Sequence, residues 1–183
     1  MVLLSDIQLL NVEIVTERLI LRPTSIIDLD PIFVGFNERV TKYMFPPPAK
    51  SSVETAEFIA NSMEGLINNT NLQLTAVSKE NPNEFVGCLG LHHPETRTPE
   101  LGIWIIESLH GKGLGFEAIE AVCGWAAQEI ECDYLKYPVD RENIPSRRIP
   151  EKLGGEIEDE YDMITPDGRT LNIVEYRLYP EAL

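Results

Sequence analysis

Apolar residues recur along this chain with periods of two and of about 3.6, and the two periods assign the elements. VEIVTERLILRP, from Val12 to Pro23, is rich in aliphatic and β-branched residues and reads as a strand bent near Thr16–Glu17. Ser25 caps a short helix through IIDLDPIFVGF, with Asp28 placing an acid in its first turn. Pro46-Pro47-Pro48 is a loop, since proline cannot occupy a helix interior. Ser51 or Ser52 opens the next helix, whose Ala56, Ile59, Met63 and Leu66 share one face, and Asn68-Asn69 end it. Leu72 to Ser78, Glu84 to Leu91 and Glu100 to Ile106 read as strands separated by KENPNE and HHPETRTP, an antiparallel meander. Glu117 to Ile130 is the best helix, with Ile119, Val122, Ala126 and Ile130 on one side. Asp133 to Val139 is a strand weakened by Pro138, and Arg147 to Leu153 is a short helix stopped by Gly154-Gly155. Two strands, Glu156 to Ile164 and Leu171 to Tyr179, flank the turn Pro166-Asp167-Gly168. The order is mixed α/β, and the meander argues against a doubly wound parallel sheet.

Charge and cysteine usage narrow the class. Among 183 residues, 30 Asp+Glu oppose 15 Lys+Arg, a formal charge of −15. No local basic stripe offsets it, so a nucleic-acid partner is excluded. Cys88, Cys123 and Cys132 are odd in number and form no CxxC pair, which points away from disulfides and thiolate zinc. His92 and His93 are adjacent, hence on opposite faces of a strand, and make a poor chelate. MVLLSDIQLL has no basic region or cleavage site of a signal peptide, and no apolar run is long enough to span a membrane. The expectation is a reduced, cytoplasmic protein.

The densest chemistry lies in SLHGKGLGFEA, Ser108 to Ala118, where Gly111, Gly113 and Gly115 alternate just before the best helix. Glycine permits positive φ and close backbone approach, and a helix N-terminus offers free N–H groups. Together they form an anion site, most often for phosphate; the plainer alternative is a tight turn without ligand. A P-loop is excluded, because Ile106 stands where its first glycine belongs and Gly113 where Ser or Thr belongs. Gly113, Gly115 and Ala118 do fit a dinucleotide fingerprint, with Asp133 as its distal acid. However, ESLHGK separates the turn from its strand, and Asp133 begins the following strand instead of ending it. A nicotinamide-dependent oxidoreductase is thus the weaker alternative.

HGKGLG resembles the acyl-CoA pyrophosphate loop, Q/R-x-x-G-x-G/A, of the Gcn5-related N-acetyltransferases, the GNAT superfamily. TERLILRP resembles the first strand of its branch that acetylates ribosomal-protein N-termini and similar small substrates. FVGCLGLHH and then ELGIWI precede the loop as strands 3 and 4 of that family do. ENIPSRRIPEKLGG resembles the family's E-N-x-x-S-x-x-x-x-E-K-x-G-F. The resemblance runs roughly from 12 to 179. It implies a single-domain α/β fold over 1–183, with a mixed, mostly antiparallel sheet of six or seven strands and about four helices. His110 departs from Gln or Arg, Pro138 and Pro150 are unexpected, and Gly155 replaces an aromatic. Pro150 should shorten or displace its helix.

By the same resemblance acetyl-CoA is the co-substrate, no metal is needed, and an amine attacks the thioester directly in a ternary complex. The backbone of Trp104, Ile105 and Ile106 would meet the pantetheine arm, and Asn143 its amide. Amides of Gly111, Lys112, Gly113, Leu114, Gly115 and Phe116 would hold the pyrophosphate. Glu100 matches the acidic position serving as base. Ser146 matches the serine that reaches the CoA sulfur, and equally reads as the N-cap of the helix from Arg147. His92 or His93 is a rival base, since a neutral imidazole needs no pKa shift, and each also reads as a turn histidine. The acceptor implied is a primary amine, a protein N-terminus or a small cation, and the protein a monomer or homodimer. EIEDEYD, 156–162, reads as a solvated strand face or as an acidic wall drawing in a cationic amine. The departures leave a second class open, a non-catalytic acyl-CoA-binding or interaction protein of the same fold.

Overall fold

The computed structural model describes residues 7–180; most of the N-terminal segment read above for a signal peptide lies outside the described residues. The elements in order are β1 (Ile14–Val15), β2 (Leu19–Pro23), α1 (Leu29–Gly35), α2 (Glu38–Thr41), α3 (Ser52–Ile67), β3 (Asn71–Ser78), β4 (Phe85–His92), β5 (Glu100–Ile105), α4 (Leu114–Glu129), β6 (Leu135–Asp140), α5 (Ile144–Lys152), β7 (Glu156–Ile164) and β8 (Thr170–Leu178). They build one eight-stranded sheet in the order β1-β2-β3-β4-β5-β6-β8-β7. Every neighbouring pair is antiparallel except β5–β6.

The strand count exceeds six or seven because the expected bend at Thr16–Glu17 is a full reversal. The Thr16 N–H donates to Leu19 O at 2.9 Å, and its hydroxyl accepts the Leu19 N–H at 2.9 Å. That short link splits one expected strand into the β1–β2 hairpin. α2, absent from the periodicity, is a single turn held by Asn37, whose side chain accepts the Arg39 and Val40 N–H groups. Ahead of α1 the chain makes a 3-10 turn over Ile26–Asp28. Asp28 is buried there, accepting the Ser25 N–H at 3.0 Å, two Arg22 guanidinium bonds at 2.8 and 2.9 Å, and the Thr75 hydroxyl at 3.0 Å.

Alternation along the strands sorts side chains into two layers. Leu101, Ile103 and Ile105 of β5 face the main core, where Ala118, Ile119, Val122 and Ala126 of α4 pack. Trp104 and Cys88 face the other layer, with Ile32 of α1 and Ile59 of α3. α3 is capped by Ser51, which accepts the Glu54 N–H, and buries Thr55, Ile59, Ser62 and Leu66, turned slightly from the expected Ala56 and Met63.

Three features of the second half differ from expectation, each for a physical reason. α4 begins at Leu114, three residues before Glu117, because Gly113 takes the N-cap with φ +77°. α5 begins at Ile144, not Arg147, because Asn143 is its N-cap and accepts the Ser146 N–H at 3.4 Å. Pro150 does not end α5, which runs past it to Lys152 with Pro150 buried. Pro150 O then accepts the Gly155 N–H at 2.8 Å. A Cβ at Gly155 would lie 2.8 Å from Leu178 Cδ2 and 3.0 Å from Pro150 O, so this packing admits no larger residue there.

Candidate active site

The site begins where the sheet comes apart. β5 and β6 pair only at Glu100↔Lys136, through the Lys136 N–H donating to Pro99 O at 2.8 Å. Backbone groups of successive strand residues point to opposite edges. On β6, Lys136 faces β5, so Pro138 faces the same side, and its missing N–H falls in the gap and costs no ladder bond. On β5, the Ile106 N–H donates back to Val86 O of β4 at 2.9 Å, which places Trp104 and Ile106 on the β4 edge. Ile103 and Ile105 therefore face the gap. Of Trp104, Ile105 and Ile106, only Ile105 turns its backbone groups to the gap, and Ile103 does so as well. The Ile105 carbonyl is already taken by His110 Nε2 at 2.7 Å, which ties the strand end to the glycine turn.

The glycine turn closes one end of the gap. Gly111 and Gly113 both take positive φ, +75° and +77°, which side chains other than glycine rarely adopt. Gly115 serves packing instead: a Cβ there would sit 3.3 Å from Ile149 Cδ1. The N–H groups of Leu114, Gly115 and Phe116 open α4, where no preceding turn can accept them, and the first intrahelical bond runs from the Glu117 N–H to Gly113 O. The turn is fastened from the β1–β2 link, far away in sequence. Arg18 donates to Lys112 O at 2.9 Å and to Glu117 Oε2 at 2.6 Å, while its own N–H and the Thr16 hydroxyl donate to Glu117 Oε1. Arg18 was not among the expected site residues, although TERL contains it. Leu114 is buried, and Phe116 lies under Lys152, whose Nζ is 5.3 Å from the ring centre.

Titratable groups collect on the two faces of the gap. On the α5 side, the Tyr137 hydroxyl pairs with Ser146 Oγ at 2.9 Å. With Asn143 as the cap, the Ser146 hydroxyl is free for this bond. Tyr137 is 2% exposed, and burial pushes its phenol well above the ordinary value, so it stays protonated. Nothing in the sequence pattern marked Tyr137. On the opposite face stand Glu100 and His92, paired across β5 and β4. Burial raises the Glu100 carboxyl, Glu175 adds to the shift, and Lys136 and His93 oppose it. His92 Nδ1 lies 2.8 Å from Asn71 Oδ1, which can only accept, so Nδ1 carries the proton and Nε2 the lone pair. Burial lowers the imidazole pKa, and His93 lowers it further. The ring leans over two facing glycines, Gly90 and Gly102. A Cβ at Gly90 would lie 2.8 Å from His92 Cε1, and one at Gly102 3.4 Å from Nε2. His93 is exposed, with φ +54° and Nδ1 3.4 Å from Glu95.

Over that glycine floor opens a cavity of about 450 Å³, walled by Phe33, Phe36, Phe58 and Trp104 and by the Pro46–Pro48 loop. Its loop side is anchored by the β7–β8 turn, where Arg169 donates to the carbonyls of Thr41, Lys42 and Met44. None of 156–162 lines the cavity. β7 is instead an exposed edge strand, with Glu160 paired to Arg141 and Glu158 to Arg177. Among the described residues no set of three or more His, Cys, Asp or Glu gathers as metal ligands, and no helix is long and apolar enough to cross a membrane.

One parallel strand pair is split, and a glycine turn at a helix N-terminus closes the split. A family model described as the acetyltransferase (GNAT) domain matches residues 18–156. The chain belongs to the GNAT acetyltransferase family. As a member of it, the protein is an acyltransferase. This GNAT chain superposes on a ribosomal L7/L12 alpha-N-protein acetyltransferase in complex with coenzyme A, with a TM-score of 0.80, 16% identity, and coverage of 94% of this chain and 100% of that one. It superposes on a spermidine N-acetyltransferase from Vibrio cholerae in complex with CoA and spermine, with a TM-score of 0.78, 19% identity, and coverage of 91% and 98%. A GNAT-family acetyltransferase from Bacillus anthracis gives 0.78 at 20% identity, covering 93% and 99%. At these identities the likeness is one of fold. No curated protein matches the sequence.

Proposed function

We propose that this GNAT protein transfers an acetyl group from acetyl-CoA to a primary amine by direct attack within a ternary complex. The observation that carries the reading is the β5–β6 gap with the glycine turn at its end. The gap leaves the Ile103 N–H and C=O and the Ile105 N–H pointing into a slot, and peptide-like groups of a pantetheine arm suit such an edge. The turn supplies uncharged N–H donors for a pyrophosphate, so the strongly acidic chain need not supply a basic patch. Asn143 spends its Oδ1 on the cap and keeps its Nδ2 for the arm. Two solved proteins of the same fold carry CoA, and those two act on a protein N-terminus and on spermidine, which supports an amine acceptor and the ribosomal-protein-type branch.

Acetyl-CoA supplies an activated acyl group; the residues of this chain move the protons. The acceptor amine must arrive unprotonated, so a base is needed on its side of the gap. We place the proton at His92 Nε2, which stands over Gly102 with a free lone pair. Glu100 is the second reading, favoured by its raised carboxyl, but it lies opposite Lys136 where β5 and β6 still pair. On the far face the Tyr137–Ser146 pair donates a hydrogen bond at the position of the departing sulfur. Base and acid thus stand on opposite sides of one slot, the order a direct transfer requires.

The test has two steps. Acetyl-CoA should raise the melting temperature while NAD leaves it unchanged. Thiol release with a panel of amines should then follow. Absence of any acetyl-CoA shift removes the reading, and a shift without turnover on any amine overturns the amine acceptor.

A further inference from the structure

The chemistry of the acceptor cavity is at odds with a polycationic substrate. Its wall is aromatic, with the Phe36 and Trp104 rings tilted against each other, 5.1 Å between centres. Phe33 and Phe58 are 37% and 39% exposed, unusually open for phenylalanine, and both line this cavity. Among the described residues the charged ones in the lining are Lys50 and Glu54, one of each sign. Glu54 accepts the Lys50 N–H at 2.8 Å at the start of α3. One carboxylate, set beside a lysine, gives the several ammonium groups of a polyamine no row of partners. The acids of β7 are outside the lining, and an ammonium buried without a partner is strongly disfavoured. A benzyl or isobutyl group, by contrast, would cover aromatic surface that otherwise faces water.

The floor fixes which end of the substrate goes where. Gly90 and Gly102 face each other across β4 and β5 and line the cavity, and His92 stands beside them in the adjoining hollow with Asn71 and Glu100. Resting on the acetyltransferase reading above, we propose that the acceptor is an amine with an aromatic or bulky aliphatic group beside its nitrogen. This includes amino-acid amides and peptide N-termini whose first side chain is Phe, Leu or similar. The apolar group fills the Phe33–Phe36–Phe58–Trp104 ring, and the amino nitrogen lies over Gly102. A cavity of about 450 Å³ holds such a side chain together with the first peptide unit.

The experiment compares phenylalaninamide, leucinamide, glycinamide and spermidine as acceptors at saturating acetyl-CoA. In parallel, each amine is titrated into the CoA-loaded Trp125→Phe protein, leaving Trp104 as the fluorescent reporter. Phenylalaninamide and leucinamide should exceed glycinamide in kcat/KM by about thirty-fold, the usual return on one buried apolar side chain. Spermidine should be the poorest acceptor. Phe33→Asp and Phe58→Asp, at the open rim where the fold tolerates change, should shrink that preference and improve spermidine. Phenylalaninamide should also change Trp104 emission saturably. Equal use of glycinamide or spermidine, or a preference untouched by both rim variants, overturns the proposal. So does a saturable Trp104 response to spermidine but not to phenylalaninamide. Failure of acetyl-CoA to bind would instead strike the acetyltransferase reading, and the Trp104 titration, repeated without CoA, still reports on the cavity.

Discussion

Substituting the two candidate bases one at a time decides between them, and the pH profile of the native protein does not. Burial raises Glu100 above its ordinary 4.5, and burial lowers His92 below its ordinary 6.5. Either group acts only when deprotonated, so with either one activity falls as the pH drops. The two shifts move toward each other, so the position of the acid limb does not name the base. His92→Gln should lower kcat/KM by about a hundredfold or more, the usual scale of a general base. That corresponds to about 2.7 kcal/mol of transition-state stabilisation. It should also flatten the acid limb. Glu100→Gln should keep the limb and most of the rate. A third variant reports without removing the base. Asn71→Asp places a carboxylate 2.8 Å from Nδ1, favours the imidazolium, and should move the limb to higher pH. Imidazole protonation is strongly exothermic and carboxylate protonation nearly athermal, so the native limb should also shift with temperature. The assay is thiol release with a neutral-amine acceptor between pH 4.5 and 8, with thermal melts of each variant to exclude unfolding. A His92→Gln enzyme with native rate and native limb, together with an Asn71→Asp limb that does not move, would refute the assignment and transfer the role to Glu100.

Three other perturbations probe the remaining parts of the site and the fold. Tyr137→Phe and Ser146→Ala should each lower kcat about tenfold or more with little change in acetyl-CoA affinity; a double-mutant cycle should show them coupled, and additive losses would separate the pair. Gly113→Val forces a β-branched residue to φ +77°, at about 1–2 kcal/mol or more, beside Arg18; calorimetry should find CoA binding weakened at least tenfold, and an unchanged Kd would detach the turn from the pyrophosphate. Asp28→Asn leaves the Arg22 guanidinium without its counter-charge in a site where Asp28 is 3% exposed; urea unfolding should show a loss of about 3 kcal/mol, and a loss under 1 kcal/mol would mean the pair is dispensable.

What the sequence could not reveal follows from distance along the chain. Periodicity is local, so α3, α4, the meander and the last hairpin were legible from residues that touch within a few positions. The glycine turn was legible for the same reason. Its fastening was not: Arg18 and Glu117 are 99 residues apart, and neither has a pattern that names the other. Tyr137 and Ser146 are only nine residues apart, yet a strand and a helix N-terminus must pack before they meet. The backbone phase of β5 was hidden too, because whether Trp104 or Ile105 faces the gap depends on which neighbour β5 pairs with at Ile106.

The residues that looked like departures from the family pattern carry the most structural information. Pro138 in a strand flanked on both sides argues that one flank has no ladder to satisfy, and its N–H position does fall in the β5–β6 gap. His110 replaces a long polar side chain, and its ring bonds the Ile105 carbonyl, fixing the end of the strand that opens the slot. Gly155 sits where a Cβ would strike both Leu178 and Pro150 O, so it and the buried Pro150 are one packing solution, not two separate defects. A proline that removes a donor is tolerated only where the fold has no acceptor to leave stranded. Pro138 therefore marks the gap from the sequence side, and it does so without reference to any ligand.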